Sequence, residues 1–232
     1  MKGLCQLTVL CIAISVIGGC ASRGSPSQSN AKDLVELKLP SNKYAVGQIV
    51  DMYTSSRRIE VICDSRIPRD RTKIAKGQSI PLNEVAKVMG NQTRGLYDII
   101  KDILNLTPGL ENLNISYPSI RTRVAEKELI YDNIKRELSM NQPLFEMIKK
   151  NTAAGKHYDV IADTIEARLE FSVSNSTGDV TVIDPAAISE FGSILGEDFV
   201  NNMDEKVYHS VGELVIGFHY DPYMIGTLIA EY

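Results

Sequence analysis

The stretch DTIEARLEFSVSNSTGDVTVID, residues 163–184, decides the fold class that the sequence predicts. Apolar side chains at every second position from 165 to 173 alternate with charged or polar ones. This period of two is typical of a β-strand with one face buried and the other in water. The polar residues 175–179 predict a turn, and residues 180–184 predict the second arm of a hairpin. The C-terminal third of the chain is therefore expected to contain a sheet.

Other alternating segments predict strands toward both ends of the chain. GELVIGFHYDP at 212–222 alternates clearly, and DLVELKL at 33–39 alternates weakly, as in an edge strand. VGQIVDMY at 46–53 and RRIEVICD at 57–64 predict a hairpin, because a short polar segment separates two apolar runs.

The middle of the chain predicts helices. In TRGLYDIIKDILNL, 93–106, apolar residues recur three and four apart, as in an amphipathic helix with a buried stripe. Pro143 interrupts a helical pattern, so residues 142–151 are expected to form a separate short helix. Asp184 before Pro185 is a favourable helix start. The remaining helices are predicted over residues 81–89, 122–140 and 185–195. We therefore expect an α+β fold, with a largely antiparallel sheet, strands from both ends of the chain and a helical middle region.

The first twenty residues form a hydrophobic segment that ends in a cysteine. After Lys2, residues 4–17 are apolar except for three uncharged polar side chains. These 14 residues are fewer than the roughly 20 that span a bilayer as a helix, but they match the hydrophobic region of a secretion signal. The segment closes with Ile17-Gly18-Gly19-Cys20.

The sequence Ile17-Gly18-Gly19-Cys20 resembles the lipobox of bacterial lipoprotein precursors. The resemblance implies that residues 1–19 are a signal peptide that is removed, and that Cys20 is lipidated as the first residue of the mature chain. A residue other than aspartate after the cysteine, here Ala21, implies the outer membrane, with the protein facing the periplasm. An ordinary signal peptide with a coincidental cysteine is the alternative.

The residues after Cys20 are expected to form a tether. ASRGSPSQSNAK, 21–32, has too little apolar surface to fold and reaches about 40 Å when fully extended. Residues 20–32 are therefore interpreted as a lipidated, flexible tether. Residues 33–232 are expected to form a single α+β domain held close to a membrane.

Cysteine usage agrees with this division. Cys5 and Cys11 lie in the segment to be removed, and Cys20 is expected to carry lipid. Cys63 alone remains, so neither an internal disulfide nor a zinc thiolate cluster is expected. Cys63 lies on the apolar face of its predicted strand, which favours burial over a nucleophilic role.

Charge is divided unequally along the chain. Residues 32–156 carry 21 basic and 15 acidic side chains, a net charge of +6, whereas residues 157–232 carry 2 basic and 14 acidic ones, a net charge of −12. Two interpretations stay open. In the first, the two parts complement each other within one domain. In the second, an exposed basic connection over residues 65–79 and the hairpin before it face anionic lipid or glycan, and the acidic part faces a basic partner. The candidate contacts are Arg57, Arg58, Arg66, Arg69, Arg71 and Lys73, and Lys76 belongs to the same basic run. The formal charge of −4 gives no electrostatic footprint for nucleic acid.

The sequence lacks the common catalytic motifs. It has no Gly-x-Ser-x-Gly elbow, no His-Glu-x-x-His and no phosphate-binding loop. His209 and His219 on one straight strand would be about 33 Å apart, too far for one metal ion. Glu166 and Glu170 could form a carboxylate pair on the water-facing side of their strand, but solvated carboxylates are the commoner case. No catalytic residue, metal site or cofactor is expected.

Two functions remain open. The favoured one is a non-catalytic envelope lipoprotein, anchored by N-terminal lipid, whose domain binds an envelope protein, a lipid or a glycan as an accessory to a larger assembly. The alternative is a periplasm-facing hydrolase with an unrecognised site of acidic residues and histidine. A concave pocket in which a carboxylate meets His219 or Tyr220 would favour the hydrolase. Nucleic acid is not an expected partner.

Overall fold

The computed structural model describes residues 34–53, 58–75, 94–96, 98–103, 110–175, 177, 182–202 and 207–232. In these residues the chain forms two antiparallel sheets and five helices, which confirms the predicted α+β class. The helices are α1 (helical residues 94–96 and 98–103), α2 (Lys127–Met140), α3 (Gln142–Ala153), α4 (Pro185–Leu195) and α5 (Met224–Ala230). The strands are β1 (Leu34–Ser41), β2 (Ile49–Tyr53), β3 (Arg58–Cys63), β4 (Lys73–Ile74), β5 (Leu110–Ser116), β6 (Ile120–Val124), β7 (Asp159–Ala167), β8 (Glu170–Asn175), β9 (Phe199–Asn202), β10 (Val207–Ser210) and β11 (Leu214–Asp221).

Strand β7 lies at the centre of the larger sheet. Its neighbour on one side is β11, and on the other side are first β2 and then β6. β1 pairs with β11 and β3 pairs with β2, so strands from both ends of the chain meet in this sheet, as predicted. All nine residues of β7 are buried, because both faces of the strand are covered. The water-facing side that the alternation predicted does not exist in β7.

The prediction of one continuous strand over residues 165–173 is also wrong. The strand breaks at Arg168 and Leu169, and the chain continues as β8 in the smaller sheet, between β5 and β10. Ser210 holds the corner: its Oγ accepts the Leu169 N–H at 3.0 Å, and its own N–H donates to the Leu169 carbonyl at 2.9 Å. Alternation continues through the corner because Ala167, Leu169 and Phe171 all enter the same apolar core.

The hairpin arm predicted over residues 180–184 is described only from residue 182 onward. Residues 182–184 are not in a strand. Asp184 instead caps α4, and its carboxylate accepts the Ala186 N–H at 2.8 Å. The helix start that Asp184 and Pro185 predict is confirmed.

Two large apolar cores hold the helices against the sheets. The first joins the smaller sheet, α1 and α4 to the end of β7, and it buries Leu96 and Ile100 of the predicted stripe. The second joins α2, α3 and α5 to β2 and the start of β7, and it buries Ile130, Ile134 and Leu138. Lys32–Tyr232 form one compact unit.

The helix predicted over residues 122–140 begins later, at Lys127. Thr122 and Val124 belong to β6, where their β-branched side chains suit the pleated sheet. Pro143 lies in the first turn of α3, after the capping residue Asn141, so the predicted separate helix is confirmed. The helix predicted over residues 81–89 lies outside the described residues. Among the helices that the structure describes, none has both the length and the apolar character needed to cross a membrane.

The connection after β3 is partly buried, although its polar sequence predicted exposure. The Ser65 hydroxyl donates to the Gly47 carbonyl at 2.6 Å, and the Ile67 N–H donates to the Val46 carbonyl at 2.8 Å. Gly47 has a φ of +90°, and a Cβ there would lie 2.8 Å from the Ser65 carbonyl oxygen. These contacts dock the basic segment against the β1–β2 loop, where the two form the wall of a cleft.

Candidate functional site

A cleft of about 310 Å³ lies where the segment after β3 meets the β1–β2 loop, β6, β7 and the start of β11. Tyr44, Val46, Ile67 and Val215 give it apolar walls. Its charged lining residues are three arginines and three glutamates: Arg66, Arg69, Arg123, Glu166, Glu197 and Glu213. The cleft thus has no net formal charge, but positively and negatively charged side chains lie close together in it.

Arg123 and Glu166 form the floor of the cleft. The Arg123 Nε donates to both carboxylate oxygens of Glu166, at 2.9 and 3.0 Å, and its Nη1 donates to the Thr72 Oγ1 at 3.0 Å. The Thr164 hydroxyl adds a bond of 3.2 Å to Glu166. Only 4% of the Glu166 side chain and 14% of the Arg123 side chain are exposed. Such buried charges persist in a fold only when they are paired and hydrogen-bonded.

Glu213 extends this floor toward β11. One of its carboxylate oxygens contacts the Arg121 guanidinium, and the other lies 3.6 Å from the Arg123 Nη2. Arg121 and Arg123 therefore share Glu213, and Arg123 also binds Glu166.

Arg66 and Arg69 lie at the mouth of the cleft. Arg66 donates from Nε and Nη2 to the two carboxylate oxygens of Asp64, at 2.8 Å each, and this pair holds the pKa of Asp64 below its usual range. Arg69 makes a weaker contact, 3.5 Å from its Nη2 to Glu166, and 60% of its side chain is exposed.

Glu197 reaches the cleft from the end of α4. The Asn42 side chain donates to the Gly196 carbonyl, which ties the end of this helix to the β1–β2 loop. The Glu197 Oε1 accepts the Gly212 N–H at 2.8 Å. In the part of the chain that the structure describes, Glu197 has no cationic partner.

The structure brings two of the predicted basic residues together and separates others from them. Arg66 and Arg69 line the cleft, whereas Lys73 forms an exposed ion pair with Glu126 at 2.7 Å. Arg71 is exposed and has no carboxylate partner among the described residues. The side chains of Arg57, Arg58 and Lys76 lie outside the described residues.

Sequence reasoning missed the acidic part of the site. Glu166 was expected to face water, and neither Arg123, Glu197 nor Glu213 was a candidate. The signal that could have found them is the charge division, since Arg69 and Arg123 come from the basic part of the chain and both glutamates that they contact come from the acidic part. These contacts favour the interpretation that the two parts complement each other within one domain.

The sequence suggests that one strand carries both His209 and His219, but the structure places them on different strands. His209 is in β10 of the smaller sheet and His219 in β11 of the larger one. The His219 Nδ1 lies 2.5 Å from the Asp163 Oδ1. Among the described residues, no group of three or more His, Cys, Asp or Glu side chains is arranged to hold a metal ion.

The carboxylate pair considered for a hydrolase is not assembled. Glu166 belongs to the larger sheet, whereas Glu170 belongs to β8 of the smaller sheet and accepts a long bond of 3.5 Å from the Ser116 hydroxyl. A wider groove of about 660 Å³ runs along β1. His219 and Tyr220 line neither this groove nor the cleft.

Cys63 is half-buried and packs against the second core. Burial raises the pKa of its thiol, which opposes a nucleophilic role. Cys20 lies outside the described residues.

Comparison with known proteins gives a distant structural likeness and no sequence match. No protein-family model matches the chain, and no curated protein matches its sequence. Among solved structures, the chain is similar to a bacterial gasdermin from Bradyrhizobium tropiciagri, with a TM-score of 0.40 and 11% identity over 81% of this chain and 80% of that chain. A likeness at this score does not assign the chain to a family.

Proposed function

We propose that the protein is a lipid-anchored lipoprotein of a bacterial cell envelope and that its α+β domain acts by binding rather than by catalysis. The observation that carries the anchor is Ile17-Gly18-Gly19-Cys20 at the end of an apolar segment too short to span a bilayer. Lipid on Cys20 holds the mature chain at the membrane. Ala21 at the next position supports the outer membrane, with the domain facing the periplasm.

The segment of residues 21–32 supports a domain that works near this membrane. A polar coil of about twelve residues spans about 20 Å and reaches about 40 Å when extended. The partner of the domain is therefore an envelope protein, a lipid or a glycan within that distance.

The use of charge in the cleft supports binding over catalysis. A general base needs a carboxylate or imidazole that can take a proton from the substrate. Two of the three cleft glutamates, Glu166 and Glu213, instead contact arginines. The third, Glu197, accepts the Gly212 N–H, which favours its unprotonated form as a fixed negative charge. A charged surface already ordered in this way loses little entropy when it meets a ligand, which suits recognition.

The hydrolase alternative has no comparable support. Glu166 and Glu170 belong to different sheets, and the contact between His219 and Asp163 lines neither the cleft nor the groove along β1.

The anchor is tested by metabolic labelling with palmitate in the native cells. The Cys20→Ser variant is compared with Cys63→Ser, a matched control at the cysteine of β3. Label is expected to be lost in Cys20→Ser and kept in Cys63→Ser. Unchanged labelling of Cys20→Ser would remove the lipoprotein claim.

The binding role is tested by recovering the tagged full chain from its own membranes after mild crosslinking. Arg69→Glu in the cleft is compared with Arg71→Glu, an exposed neighbour outside the cleft. We expect one envelope component to be enriched with the wild type and with Arg71→Glu, but to be depleted with Arg69→Glu. Failure to enrich any envelope component contradicts the binding role, and equal recovery with both variants removes the cleft from it.

A further inference from the structure

We propose that the cleft binds a zwitterion, a small group with one ammonium ion and one phosphate or carboxylate. The inference rests on the proposed function, because it names the chemistry that the binding domain recognises. It follows from which charged side chains of the cleft are already paired and which can still accept a ligand.

Most of the charged groups are already paired with one another. Arg123 is bonded to Glu166 and Thr72, and Glu213 contacts two arginines. Arg66 makes two bonds of 2.8 Å to Asp64, which is the bidentate geometry of a strong arginine–carboxylate pair. A ligand that displaced any of these contacts would leave a charge without its partner.

Two groups of opposite sign retain binding capacity. Arg69 has one contact, at the long distance of 3.5 Å, although a guanidinium carries five N–H donors. Glu197 accepts one backbone N–H and has no cationic partner in the described ranges of the chain. Both side chains line the same cleft. The anion of a ligand therefore meets Arg69, and its ammonium meets Glu197.

The balance of charge in the cleft disfavours a ligand that carries charge of only one sign. A polyanion at Arg69 would also meet the three glutamates, and a simple cation at Glu197 would also meet the three arginines. A zwitterion adds no net charge to a lining that has none. It also forms one ion pair with Arg69 and one with Glu197.

The size and walls of the cleft agree with this ligand. Its volume of about 310 Å³ is near the lower end of the range for small-molecule sites. Tyr44, Val46 and Val215 offer apolar surface to the methylene groups that join the two charges of a compact zwitterion. Both the ethanolamine headgroup of a phospholipid and a free amino acid have this chemistry.

Calorimetric titration of the full chain in detergent tests the proposal. The probes are glycerophosphoethanolamine, which represents the lipid headgroup, and β-alanine, which represents a free amino acid. Ethanolamine and propionate, each with one charge, are the controls. We expect at least one zwitterion to bind about tenfold or more tightly than either control, and the tighter of the two identifies the source.

Three variants show whether the cleft is the site. Arg69→Gln and Glu197→Gln remove one charge each, and glutamine at 197 keeps an acceptor for the Gly212 N–H. Each is expected to weaken the binding of the zwitterion by about tenfold or more, whereas Arg71→Gln changes it by less than about twofold.

Several outcomes would overturn the proposal. They are binding of neither zwitterion, equal binding of a singly charged control, or a loss in only one of the two cleft variants. None of these outcomes affects palmitate on Cys20 or the capture of an envelope component, so failure here is distinguishable from failure of the proposed function.

Discussion

Arg123 and Glu166 are bonded across two adjacent strands although they are not opposite each other. In the register of β6 and β7, Arg123 is paired with Thr164, and Glu166 is paired with Arg121. The Arg123 guanidinium reaches diagonally to Glu166, and Arg121 reaches Glu213 instead. This exchange of partners joins β6 to β7 and to Glu213, the residue before β11, and forms the floor of the cleft.

Removal of Arg123 is expected to destabilise the fold strongly. Arg123→Met leaves the buried Glu166 with the distant Arg69 as its cationic partner. We therefore expect a loss of about 3 kcal/mol in the free energy of unfolding, measured with urea. Lys73→Met breaks the exposed pair with Glu126 and is the control, with an expected loss too small to resolve in the same measurement. Equal losses would show that the buried pair has no special role.

The corner between the two sheets depends on Ser210. Its Oγ accepts the Leu169 N–H and donates to the Gly212 carbonyl at 2.8 Å. Ser210→Ala leaves a buried N–H without this acceptor, which costs about 1 to 3 kcal/mol in thermal or urea unfolding. The exposed Ser193→Ala should cost less than about 0.5 kcal/mol. A neutral Ser210→Ala would mean that the corner does not need this bond.

The close approach at Gly47 predicts a difference between two glycines with positive φ. Gly47 has a φ of +90° and a crowded Cβ position, whereas Gly155 has a φ of +87° and no atom within 4 Å of that position. Gly155→Ala should cost about 1 kcal/mol, the conformational penalty alone. Gly47→Ala should cost more, because the Ser65 carbonyl must also move. Equal midpoints of urea unfolding in the two variants would contradict the docking of residues 65–67.

Asp159 is expected to make stability depend on pH. Burial, with the charges of Asp51 and Asp221 as smaller causes, raises the pKa of Asp159 to about 6 in the folded state. The unfolded value is about 3.9, so the folded state binds the proton more tightly. The contribution of Asp159 to stability is greatest below about pH 4, falls as the pH rises to about 6, and stays lower above that. After allowance for solvent screening, the loss is about 1 to 2 kcal/mol.

The variant Asp159→Asn isolates this effect. It should be more stable than the wild type at pH 7, and it should lose this part of the pH dependence between pH 4 and pH 6. Asp70→Asn, at an exposed position, is the control and should follow the wild type. A parallel pH profile of Asp159→Asn and the wild type would contradict the raised pKa.

Local patterns were sufficient to predict most elements of this fold. The cap at Asp184, the break at Pro143 and the stripe with Leu96 and Ile100 depend on neighbouring residues, so they are readable in the sequence. The corner at Leu169 could not be predicted from the sequence. The alternation of apolar residues continues through it, and the bond between Leu169 and Ser210 joins residues 41 apart in sequence.

The same limit explains what was missed at the cleft. Arg66 and Arg69 are close in sequence and were found as part of a basic segment. Their acidic neighbours come from β7, from the residue before β11 and from the segment after α4, which only folding brings together. The alternating pattern of its strand predicts that Glu166 faces water. Because both faces of β7 are buried, alternation does not indicate which side chains are exposed there.

The N terminus of the mature chain, determined by mass spectrometry on protein from native membranes, tests the central claim most directly. The account predicts that the chain begins at Cys20 and that this residue carries lipid. A mature chain that begins at another residue, or an unmodified Cys20, would contradict it.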